Sequence, residues 1–160
     1  MSEMSKIVRT ISGIAFPFAM IYGLYVIAHG HLTPGGGFQG GAVVASACAL
    51  ILVAFGSKWV NERIKEKNLS VLESLGGVGF ILLAFLGMFF GVAFFHNFIA
   101  GTDFLFGKIP PFQSPLADID TGGVLPLMNF AVGLKVIAGL FVIVLVIAYA
   151  TTTFKEGKKR

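Results

Sequence analysis

The sequence predicts an all-α polytopic integral membrane protein: four transmembrane helices, with both termini cytoplasmic. Its 160 residues are 56% hydrophobic and only 12% charged, and mean hydropathy is +0.86; soluble domains carry about a quarter charged residues. Four apolar stretches, about 9–28, 36–57, 72–96 and 125–150, are long enough to span, since ~30 Å of hydrocarbon needs roughly 20 residues of helix. Basic residues set the orientation. Lys6 and Arg9 precede the first stretch, Lys58, Arg63, Lys65 and Lys67 follow the second, and Lys155, Lys158, Lys159 and Arg160 end the chain, whereas the other two loops hold only Lys108. Residues 1–160 thus read as a single four-helix membrane domain with no soluble part. The net charge of +4 and pI near 9.4 follow from this inner-face bias. The aromatic residues near the charges do not form the repeated platform that a base-stacking surface requires, so nucleic acid is not an expected partner and the lipid bilayer is.

The first stretch is longer than a signal-peptide core and lacks a small-x-small cleavage site, so it reads as a retained helix. Pro17 in its middle removes an i to i−4 hydrogen bond and predicts a kink. Thr33 before Pro34 fits an N-cap followed by proline at the first helical position of the second helix. On that helix Gly37, Gly41, Ala45 and Ala49 recur every fourth residue, and on the third Gly77, Ala84, Gly87 and Gly91 share a stripe. Membrane helices associate through such small-residue surfaces, either within the chain or against other subunits. Cys48 is the one cysteine, which excludes an intrachain disulfide or a cysteine metal cluster; it reads as a small packing residue. Pro126 sits in the first turn of the fourth helix, where proline is tolerated. The loop before that helix, with Asp103, Lys108, Asp118 and Asp120, carries no motif.

Lys135 is the first ion-path candidate. It lies about ten residues into the fourth helix, roughly 15 Å deep and near the bilayer midplane, where a lysine costs at least ~2.5 kcal/mol unless protein or water surrounds it. Ala131, Ala138 and Gly139 share its face and leave room for a helix or water. Two readings stand: an electrostatic or proton-relay element in an ion path, and a structural charge neutralised by a neighbouring helix. Glu73, at the start of the third helix, is the second candidate, either as a cation entry group or as a first-turn acid favoured by the helix dipole. The two are expected to lie more than a turn or two apart in depth, so a partner carboxylate from another subunit serves Lys135 equally well.

The segment Pro34-Gly35-Gly36-Gly37-Phe38-Gln39-Gly40-Gly41 opens directly into the second helix. Each glycine at a helix start weakens it by up to ~1 kcal/mol, a cost usually accepted where backbone must approach closely. Phosphate binding is not expected, because no Lys-[Ser/Thr] follows at P-loop spacing. Phe38 and Gln39 would be presented from this thin platform, one for packing and one for hydrogen bonding. His29, His31 and His96 fall near the outer face; as a haem- or quinone-binding anchor they would be poorly placed, since haem ligands usually face one another from within helices.

Pro34-Gly35-Gly36-Gly37-Phe38-x-Gly40-Gly41 resembles the loop motif of the B subunits of multisubunit Mrp/Mnh-type sodium/proton antiporters. Gly133-Leu134-Lys135-Val136 resembles that family's intramembrane lysine segment, and the likeness covers essentially the whole chain. The resemblance implies an accessory transport subunit, not an enzyme, in a prokaryotic plasma membrane. It would carry no catalytic residue, metal or cofactor, and would work beside other antiporter-module subunits with Na+ and H+ as the ions of the complex. It also implies an alternative host, the antiporter module of a hydrogenase-type respiratory complex.

Overall fold

The computed structural model describes residues 4–90, 93–102, 104–109 and 120–157, the last six of these by backbone alone. Gly91, Asp103, Asp118, Lys158, Lys159 and Arg160, singled out in the sequence, lie outside the described residues, as does the side chain of Lys155. The described residues form five helices: α1 (Lys6–Ala28), α2 (Gly36–Phe55), α3 (Ser57–Arg63), α4 (Glu66–Phe89) and α5 (Val124–Gly157). All but α3 are long and apolar enough to cross a membrane, so the chain is a multi-pass membrane protein.

α1 starts at Lys6 because the Ser5 hydroxyl accepts the Val8 amide (3.5 Å), and it continues through Pro17. α2 stops two residues earlier than expected. Gly56, at φ 87°, turns the chain directly into α3, a seven-residue segment too short for the helical periodicity that marks a spanning helix.

The third spanning helix is displaced from its expected 72–96. α4 begins at Glu66, so Glu66 is the first-turn acid and the dipole reading of Glu73 fails. It ends at Phe89 because the chain turns back: Phe95, at φ 62°, donates its amide to Ala84 O (3.2 Å). A Cβ on Gly87 would stand 2.7 Å from His96 N. His96 therefore lies beside α4 and does not end it. The following loop is tied to α5 by Asn97, whose Oδ1 accepts the Val124 amide (2.9 Å) and whose Nδ2 donates to Gly122 O (3.1 Å).

The spanning helices stand in a row, α1–α2–α5–α4. α2 and α5 are central, α1 packs on α2 and α4 on α5, with α1 touching α5 only lightly. Across the basic end, Leu52, Val60, Leu69, Phe141 and Leu145 form one buried cluster that pins α3 beneath α2, α4 and α5.

Candidate functional site

Glycines set the spacing of this row. A Cβ on Gly40 would stand 2.6 Å from Gly23 O and 2.8 Å from Ile27 N, so α1 and α2 meet backbone to backbone. On the other side of α2, a Cβ on Gly37 would meet Asn129 O and Gly133 N (2.9 Å), and one on Gly41 would meet Gly133 O (2.9 Å). The close approach expected of the motif is thus satisfied inside the chain, with Gly40 serving α1 and Gly37 and Gly41 serving α5. Asn129, which the sequence reading missed, is the polar counterpart: its Oδ1 accepts the Gly37 amide (3.4 Å). It also sits against Gly30 and Gly36. A polar side chain in an otherwise apolar helix is the signal that marks it, because such groups seek partners on neighbouring helices.

The loop chemistry differs from the expected cap. Thr33 donates its hydroxyl to His29 O (3.1 Å) and so closes α1 instead of starting α2. Pro34 lies exposed in the turn, and Gly35, at φ 128°, is the N-cap of α2. That φ is accessible to glycine at little cost. Gln39 folds its amide back against Gly35, while Phe38 is 62% exposed.

Lys135 and Glu73 come closer than expected. α4 and α5 are antiparallel and in tight contact at Gly76, where a Cβ would stand 2.7 Å from both Ala131 O and Lys135 N. The close-packed position is therefore Gly76, next to the Gly77 stripe. One turn separates the two charged groups along the interface. A Cβ on Gly77 would lie 3.5 Å from Lys135 Nζ, and one on Gly139 would lie 3.3 Å from Glu73 Oε1. Each glycine vacates the space that the charged side chain of the opposite helix occupies. Glu73 stands about 10 Å into α4 and Lys135 about 16 Å into α5, at 1.5 Å per residue. Glu73 is half-buried and Lys135 exposed on the surface of the chain.

The three histidines pack on different partners. His29 stacks on Tyr25 (4.0 Å) with its Nδ1 3.1 Å from Tyr25 O. His31 packs on Gly122 and His96 on Gly87. Among the described residues, no three His, Cys, Asp or Glu side chains are grouped to hold a metal ion.

Residues 7–151 match the family described as "Domain related to MnhB subunit of Na+/H+ antiporter". The chain belongs to this family. An uncharacterized protein of Methanocaldococcus jannaschii is 41% identical over 133 residues, covering 79% of this chain and 47% of that protein. A Staphylococcus aureus (strain Newman) protein named as an antiporter subunit, mnhB2, is 32% identical over 98 residues, covering 61% of this chain and 69% of its own length. Among solved structures, the membrane-bound sulfane sulfur reductase, an archaeal respiratory membrane complex, contains a similar chain (TM-score 0.71, 29% identity), with 92% of this MnhB-related chain and 59% of the other covered. The chain thus spans about half the length of its archaeal relative and under two thirds of the chain in the respiratory complex.

Proposed function

We propose that this chain is an accessory membrane subunit of a multisubunit monovalent cation (sodium)/proton antiporter module in a prokaryotic plasma membrane. It contributes a charged element to the ion path and a glycine-spaced wall to the assembly. One observation carries the reading: Lys135 is exposed on the side of a spanning helix at mid-depth, one turn from Glu73. A charge there does not face lipid without a cost of at least ~2.5 kcal/mol, so a neighbouring subunit or a hydrated passage covers that face of α5. Both termini and α3 stand on the cytoplasmic side, by the basic-residue rule. A second host is favoured by the likeness to a chain of an archaeal respiratory membrane complex: the same module coupled to a redox enzyme.

Affinity purification of the tagged chain from its native membrane tests the assignment. Recovery with other antiporter-module subunits supports it, and redox subunits in the same particle would select the second host. In the assembled complex, Lys135→Ala is expected to lower sodium-dependent proton exchange about tenfold or more while the complex still forms on native gels. Unchanged exchange in a fully assembled variant removes Lys135 from the path.

A further inference from the structure

A second feature lies away from Lys135, at the basic end of the chain. A cavity of about 300 Å³ lies between α1, α2, α3 and α5, with Phe16, Cys48, Ile51, Trp59 and Phe141 in a wholly apolar wall. Gly13 of α1 also lines it. A Cβ at Gly13 would meet nothing within 4 Å, so no contact among the described residues explains a glycine there. At the mouth stands a ladder of cations and rings. The Arg9 guanidinium lies over Phe55 (5.0 Å), Phe55 stacks on Trp59 (4.7 Å), and Arg63 lies over Trp59 (3.8 Å).

Chemistry selects the occupant. The wall exposes no polar surface, which suits hydrocarbon, and the two guanidinium groups at the mouth suit an anionic head on it. Guanidinium groups recognise phosphate through several donors in a plane. Arg63 engages Trp59 O with its Nη1 (3.2 Å), which leaves most of its five N–H groups for other acceptors. Tryptophan beside arginine is also the composition of a headgroup-level belt. We propose that this cavity binds one anionic glycerophospholipid, with an acyl chain against Gly13 and the phosphate held by Arg9 and Arg63.

Trp59 is the chain's one tryptophan, so its fluorescence reports the cavity alone. The full chain, reconstituted in phosphatidylcholine vesicles, is titrated with phosphatidylglycerol or phosphatidylcholine brominated at mid-chain, bromine being a contact quencher. Phosphatidylglycerol is expected to half-quench Trp59 at about a tenfold lower mole fraction, the preference that one charge-assisted contact confers. Gly13→Leu fills the cavity and should remove this preference. Arg9→Gln with Arg63→Gln should bring the two lipids to the same mole fraction. Circular dichroism checks that each variant is helical, and Arg63→Gln, which alters one exposed side chain, decides if Gly13→Leu fails to insert. Equal quenching by both lipids in the unaltered chain overturns the proposal. So does a preference that survives the arginine variants, or a Trp59 that neither lipid reaches because the chain's own side chains fill the space.

Discussion

Gly40→Ala should be damaging despite adding only one methyl group. The new Cβ would stand 2.6 Å from Gly23 O and from Ile27 Cγ1, and 2.8 Å from Ile27 N, against an ordinary contact of 3.4 Å or more. Two of those three atoms are backbone, so no side-chain rotation relieves the overlap and α1 must move away by about 0.8 Å. A gap of that size forfeits roughly a quarter to a half of the dispersion well at each separated contact. Overpacking of this kind costs about 1–3 kcal/mol, while alanine returns up to ~1 kcal/mol of helix propensity. The net loss is therefore about 1–2 kcal/mol, larger for Gly40→Val. Gly13→Ala is the matched control: the same substitution on a spanning helix, into open space, should be neutral or stabilising by up to ~1 kcal/mol. Reversible unfolding of the purified chain in mixed micelles, followed by circular dichroism, measures both. Equal stability of Gly40→Ala and the unaltered chain, or equal damage from the two substitutions, would refute the backbone-contact account.

Asn97→Ala should destabilise the start of α5 by about 1–3 kcal/mol, since it leaves the Val124 amide without its acceptor in a half-buried setting. Asn97→Asp keeps that acceptor and should lose less, which hydrogen exchange at residues 122–126 would separate. For topology, single cysteines in a Cys48→Ala background should react with a membrane-impermeant reagent from outside at position 108 and from inside at position 65; the opposite pattern refutes the orientation.

The four spans were legible because length and hydropathy are local properties, and the glycine motif because its spacing repeats along one helix. The ends of the third span were not. Its early start depends on Glu66 and Lys67, charged residues that read as loop, and its early stop on a long-range bond from Phe95 to Ala84 that no periodicity announces. The depth of Glu73 is hidden for the same reason: once α4 starts at Glu66, the acid lies seven residues inside and level with the glycine that follows Lys135 by one turn. Small-residue stripes showed that close contacts exist without showing with what, so Gly76 and Gly77 were not separable and the row order stayed hidden. Thr33 closes α1 and does not open α2, and sequence cannot separate the two because a hydroxyl between two helices can serve either end.

The row also imposes a timetable. α1 and α2 are neighbours in sequence and can pair as soon as both have left the ribosome, but the second side of α2 waits for α5. From Phe55 to Val124 the interval is on the order of ten seconds at ordinary rates of synthesis. Throughout it, the Gly37 and Gly41 surface has no intrachain cover, and Asn129, its hydrogen-bonding counterpart, has not been made. A chain arrested or cleaved in that window would display a bare backbone strip in the bilayer, a surface that the finished protein never shows.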